Sequence, residues 1–165
     1  MKKLRLLFTN LCNRNCSGCC NKDWNLEKLP KCDSYLGYDE ILITGGEPLL
    51  FIDELLILIK KIREENYEAK IYVYTAQLDR LEEVLPFTDG VTITLHEQKD
   101  YLEFNKFLKR NIPNLYNWRN KSLRLNIFKG IQTDYITELF KVKDEIEWIK
   151  DCPLPEGEIF MKLIE

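Results

Sequence analysis

The sequence predicts an α/β fold: a six-stranded, mostly parallel, curved sheet with helices on its outer face. Three observations carry that expectation. Short apolar runs alternate with longer segments of helical spacing, the pattern of successive βαβ units. Where strand parity is clean, one face is apolar and the other polar, which suits helices on one side and a wet concavity on the other, a curved sheet or an open barrel. The 165 residues, 45% hydrophobic and 31% charged, suffice for one buried core.

In chain order, strands are expected at Leu4–Asn10, Glu40–Thr44, Lys70–Thr75, Gly90–His96, Ser122–Phe128 and Glu158–Ile164. Helices are expected at Ile52–Asn66, Leu78–Leu85, Asp100–Arg110 and Asp134–Lys150. The parity evidence comes from two strands. Val91, Ile93 and Leu95 share one face, opposite Thr92, Thr94 and His96; Leu123, Leu125 and Ile127 share another, opposite Arg124 and Asn126. The charge runs Lys60–Glu65 and Lys141–Glu147 read as solvated helix faces. Asn21–Asp39 is weakly patterned and reads as a loop with a short helix. Six strands and their crossovers nearly use up residues 1–165, so a single domain with no auxiliary cluster domain is expected.

Lys plus Arg number 24 against 27 Asp plus Glu, a formal charge of −3, which argues against nucleic acid as a partner. The apolar runs are too short to span a bilayer and Met1–Leu11 lacks a small-residue cleavage site, so a cytoplasmic protein without a membrane partner is expected.

Four of the six cysteines, Cys12, Cys16, Cys19 and Cys20, fall in one short stretch after the first strand, while Cys32 and Cys152 stand apart. Clustered thiols read as metal ligands rather than a disulfide framework, which spreads its cysteines to close loops. The spacing CxxxCxxC lets three thiolates hold one face of an iron–sulfur cube, leaving one iron without a ligand from the motif. A zinc site completed by Cys20 or Cys32 is the alternative. After the second strand comes Thr44-Gly45-Gly46-Glu47-Pro48, a turn whose adjacent glycines permit close backbone approach and whose carboxylate and carbonyls accept hydrogen bonds from an ammonium group.

Together, CxxxCxxC after strand one and Gly-Gly-Glu-Pro after strand two resemble the radical S-adenosylmethionine superfamily, and the resemblance extends over essentially the whole chain through that family's partial (β/α)6 barrel. It implies a [4Fe–4S] cluster on Cys12, Cys16 and Cys19, with S-adenosylmethionine chelated to the open iron and its amino group on Gly45, Gly46, Glu47 and Pro48. Reductive cleavage to methionine and a 5′-deoxyadenosyl radical, which takes hydrogen from a substrate, is the implied chemistry, with a flavodoxin or ferredoxin as electron donor. The family usually has an aromatic residue before the third cysteine; here it is Gly18. The run Cys16-Ser17-Gly18-Cys19-Cys20-Asn21 and the aromatic strand Ile71–Thr75 are similar to activases of anaerobic ribonucleotide reductase, although those often carry Gly-Gly-Asp-Pro. The strand Leu123–Asn126 looks more like enzymes that modify peptides or small molecules. The resemblance therefore implies a protein or peptide substrate of the glycyl-radical type, with a small molecule or peptide natural product as the second reading; outside the family, the cysteines leave a non-catalytic zinc-binding interaction module as the alternative.

Asn126, Thr75 and Thr94 are candidate cofactor contacts at the rim of the sheet. His96, the single histidine, reads as structural or as a contact. Arg14 either steadies the cluster or faces solvent. Trp24, Tyr35 and Tyr38 help bury a short helix or line an entrance. Cys20 is a spare thiol, a redox partner or a packing residue; Cys32 and Cys152 are expected to pack.

Overall fold

The computed structural model describes residues 1–164. Its centre is a seven-stranded parallel sheet, not closed, in the order β6-β5-β4-β3-β2-β1-β7. The strands are β1 (Lys3–Thr9), β2 (Glu40–Gly45), β3 (Lys70–Thr75), β4 (Gly90–Leu95), β5 (Ser122–Phe128), β6 (Lys141–Ile146) and β7 (Glu158–Lys162). The helices are α1 (Ile52–Glu65), α2 (Leu81–Val84), α3 (Gln98–Arg110) and α4 (Ile112–Trp118). An open parallel sheet of this kind is compatible with a partial barrel, with one strand more than the six expected.

The extra strand corrects the expected helix at Asp134–Lys150: residues Lys141–Ile146 pair with β5, Arg124 opposite Lys141 and Asn126 opposite Lys143, and the remainder is turn and loop. β6 is an edge strand exposed along nearly its whole length, so nothing about its own burial marks it; the free backbone groups of β5 select it. Of its neighbours, Phe140 alone is buried, edge-on to Phe104 at 5.2 Å. Other elements shift less. The helix expected at Leu78–Leu85 is one short turn at Leu81–Val84 running into a 3-10 turn at Leu85–Phe87, because Arg80 adopts a left-handed backbone (φ 59°). α4 was not anticipated; its second residue is Pro113, which the first turn of a helix tolerates. The stretch after the cysteines forms two 3-10 turns, Cys20–Lys22 and Leu26–Lys28.

Period two sorts the sheet into two faces. Leu4, Leu6, Ile41, Ile43, Ile71, Val73, Ile93 and Leu125 point to one side, where they form one buried cluster with Leu55, Ile59 and Ile62 of α1 and Phe104 and Phe107 of α3. On α1 the buried positions Ile52, Leu55, Leu58, Ile59 and Ile62 follow helical spacing, each contributing about 1.5–3 kcal/mol. The opposite side carries the polar residues. Arg5 meets Glu158 at 2.6 Å and lies over the Tyr74 ring, and Lys3 meets Glu40 at 2.9 Å. No helix among the described residues is long and apolar enough to cross a membrane.

Candidate functional site

The cysteine loop leaves the C-terminal end of β1, where the register with β2 slips between Leu7 and Thr9. It is bound to the turn after β2 by two backbone bonds and one side chain: Gly46 N–H donates to the Thr9 carbonyl at 2.6 Å, Glu47 N–H to the Leu11 carbonyl at 2.8 Å, and Asn21 Nδ2 to the Gly45 carbonyl at 2.7 Å. Both glycines are needed for this. A Cβ on Gly46 would lie 1.9 Å from the Leu11 oxygen, and one on Gly45 (φ 137°) would lie 2.1 Å from the Thr9 oxygen. The close approach anticipated from Gly45-Gly46 is thus an approach to the cysteine loop itself. Glu47 is 1% exposed and its carboxylate is committed: it accepts from Thr75 Oγ1 at 2.5 Å, Ala76 N–H at 2.9 Å and Leu49 N–H at 3.1 Å. Burial pushes its pKa up, against the pull of those donors and of Arg14. Glu47 and Thr75 therefore weld the end of β2 to the end of β3.

A second tether runs to α3. Arg14, between the first two cysteines, forms a fork on Asp100, Nη1 to Oδ2 at 2.9 Å and Nη2 to Oδ1 at 2.7 Å, and also donates to the Ala76 carbonyl at 3.0 Å. Asp100 is 3% exposed and accepts the His96 and Glu97 backbone N–H groups at 2.8 and 3.0 Å, capping α3. Burial alone would raise the Asp100 pKa; Arg14 and the two N–H groups outweigh it and the net direction is down. Arg14 is thus tied down rather than solvent-facing, and it lines the same cavity as Cys12, Cys16 and Cys19.

Cys12, Cys16 and Cys19 line one cavity of about 260 Å³ with Gly45, Gly46, Glu47, Thr75, Thr94 and His96. Burial and the neighbouring Cys19 thiol push the Cys16 thiol up. No three His, Cys, Asp or Glu side chains among the described residues converge as the ligands of a single ion. Soft thiols spread around a shared cavity fit the donor set of an iron–sulfur group. Pro48 and Asn126 are not among the residues that line this cavity; Asn126 pairs with Thr94 one strand away, and Arg124 lines a smaller pocket near Lys3 and Glu158. Cys32 sits in a separate pocket with its thiol directed to the Ser34 carbonyl at 3.4 Å.

Sequence reasoning missed several lining residues. Thr44 and Tyr74 lie on the polar parity of their strands and were legible there. Trp148 was hidden inside the expected helix. Its indole occupies the space a side chain at position 18 would fill, with Cγ 2.3 Å from an ideal Gly18 Cβ, and it stacks on His96 at 5.3 Å and 14° and against Phe128 at 4.4 Å. Buried in that stack, His96 Nδ1 has no hydrogen-bond partner, and burial followed by Arg14 lowers its pKa, so the ring is neutral at neutral pH. Cys152 is no mere packing residue, because it forms a disulfide with Cys20. Trp24 donates its indole N–H to the Cys152 carbonyl at 2.8 Å, and Tyr35 and Tyr38 are buried in the core.

No protein-family model matches the chain. Over 93% of its length it is 24% identical to a protein of Methanocaldococcus jannaschii named "Putative glycyl-radical enzyme activating enzyme", and the match covers 71% of that protein. At this identity the likeness is distant: it is to a protein named as the activator of another enzyme, and it does not by itself assign the chain to a family.

Proposed function

We propose that the chain is a radical S-adenosylmethionine enzyme that activates a glycyl-radical enzyme. In this reading Cys12, Cys16 and Cys19 hold a [4Fe–4S] cluster, and S-adenosylmethionine lies against the Gly45–Pro48 turn with Thr75 and Thr94 around it and Asn126 one strand beyond Thr94. The observation that carries it is the joining of the three-cysteine loop and the Gly-Gly turn, backbone to backbone, around one cavity. The distant likeness to a named activating enzyme supports the choice of a protein substrate. When bound, the cluster would supply the electron that opens a carbon–sulfur bond of S-adenosylmethionine.

The chain's own contribution is positioning. Glu47 and Thr75 spend their polar atoms on each other and on backbone, so they fix the turn in place. Arg14 and Asp100 fix the cysteine loop on the other side. His96 offers Nδ1 as the one unpartnered buried side-chain nitrogen or oxygen among the described residues. The open polar side suits a protein partner that covers the site and excludes water, and a flavodoxin or ferredoxin would deliver the electron.

The test is anaerobic loading with iron and sulfide, then dithionite and S-adenosylmethionine, with 5′-deoxyadenosine quantified in the presence and absence of a glycyl-radical enzyme. Product is expected from the unmodified chain and not from Cys12→Ala, Cys16→Ala or Cys19→Ala, with a glycyl radical on the partner seen by electron paramagnetic resonance. A fully loaded cluster that yields no 5′-deoxyadenosine under either condition overturns the proposal.

A further inference from the structure

The connection from β6 to β7 runs between the two open edges of the sheet, and it does so past the cysteine cavity. Every residue from Glu147 to Gly157 is exposed except Cys152, which is 3% exposed. Little burial holds such a segment down. What holds it is local: the Trp148 indole over Gly18, the Trp24 indole N–H on the Cys152 carbonyl, and the Cys20–Cys152 disulfide, whose partners are 132 residues apart in sequence. Asp151 and Cys152 stand consecutively at φ 60° and 34°, a left-handed conformation that costs L residues energy, so this turn is favoured only while it is restrained. The two sulfurs are unequal. Cys20 is half-buried and lines the cavity, whereas Cys152 is shielded.

We propose that Cys20 and Cys152 are a redox-active thiol–disulfide pair, reduced by a protein or small-molecule dithiol, whose bridge locks the β6–β7 connection across the cysteine cavity and whose reduction releases it. A thiolate of the dithiol attacks the reachable Cys20 sulfur, the Cys20–Cys152 bond breaks, and Cys152 leaves as a thiolate that takes a proton. The second thiol of the reductant displaces the Cys20 sulfur and leaves as the reductant's own disulfide. Two electrons and two protons pass from the dithiol to the pair. Oxidised glutathione or a protein disulfide runs the exchange backwards. Release frees Trp148 from Gly18 and His96, opening one wall of the cavity, and returns a fourth thiol beside Cys19. The pair acts on access to the cavity whatever the cavity holds, so the inference stands apart from the proposed activity.

The test uses the full chain without iron or S-adenosylmethionine. One portion is equilibrated with oxidised glutathione and one with dithiothreitol; each is alkylated and peptide-mapped, and each is nicked with trypsin, which cuts after the exposed Lys150. The oxidised portion should yield a Cys20–Cys152 crosslinked peptide with Cys12, Cys16, Cys19 and Cys32 alkylated, and the reduced portion six alkylated cysteines. Cleavage after Lys150 should be at least tenfold faster in the reduced portion. Cys152→Ser should be cut fast under both conditions, and Cys32→Ser should keep the difference. Absence of the crosslink, a different cysteine pairing, or equal cleavage of the two wild-type portions overturns the proposal, and those wild-type rates decide it even if a variant fails to fold.

Discussion

Replacing Gly46 by alanine tests whether the cavity is built by loop-on-loop packing. Gly46 has no left-handed backbone, so alanine can adopt its conformation, and the whole penalty is collision. The new methyl would sit 1.9 Å from the Leu11 carbonyl oxygen and 2.4 Å from its carbon, both main-chain atoms that no rotamer change can move. Relief requires the two loops to part by about 1 Å, which breaks the 2.6 and 2.8 Å bonds from Gly46 N–H and Glu47 N–H. Two such bonds at about 1 kcal/mol each, plus a partner left poorly solvated, give a loss of about 2–3 kcal/mol. Gly130→Ala is the matched control. Its φ is +89° and nothing lies within 4 Å, so it should cost only about 1 kcal/mol, the left-handed penalty. Urea unfolding followed by circular dichroism measures both, with equal slopes required for the comparison. If Gly46→Ala costs no more than Gly130→Ala, the backbone packing argument is wrong.

The Arg14–Asp100 fork should show a coupling of about 2 kcal/mol in a double-mutant cycle of Arg14→Met and Asp100→Asn, the value for a charge-assisted pair reduced for the partial exposure of Arg14. A coupling near zero would mean that the cysteine loop is held without it. Because the folded Asp100 pKa lies below its unfolded value, its contribution is present above the ordinary carboxylate range and is lost as pH falls through the folded pKa. Unfolding measured from pH 6 down to pH 2 should therefore show an acid loss that is smaller in Asp100→Asn; an identical loss in both proteins would refute the assignment.

Much of this architecture was legible because the strands advertise themselves. Ile41, Ile43, Ile71, Val73, Ile93 and Leu125 are buried on one parity, and α1 repeats its apolar residues at helical spacing. The cysteine spacing and the Gly-Gly turn were equally plain, and the structure brings them to one cavity. What failed was the stretch after β5. Lys141-Val142-Lys143-Asp144-Glu145-Ile146 is exposed along an edge, so its residues carry no burial pattern, and its charges mimic a solvated helix face. Its strand state comes from pairing with β5, which its own local pattern does not report. Misreading it also hid Trp148, whose place beside Gly18 depends on a chain reversal that no periodicity encodes. The Glu47–Thr75 and Arg14–Asp100 contacts were invisible for a related reason: polar residues at strand ends look the same whether they face a ligand or each other.

The strand order also sets a sequence of events. From β1 to β6 each strand lies beside the one before it, so this part of the sheet can grow in the order in which the chain is made. β7 breaks that order by returning to the outer edge of β1, where Glu158 meets Arg5 and the Pro30–Cys32 segment bonds to Lys162. Until residues 158–162 arrive, β1 has a bare edge and Arg5 lacks its carboxylate. β1 is thus completed by β7, a contact that spans most of the chain and cannot form before residues 158–162 are present.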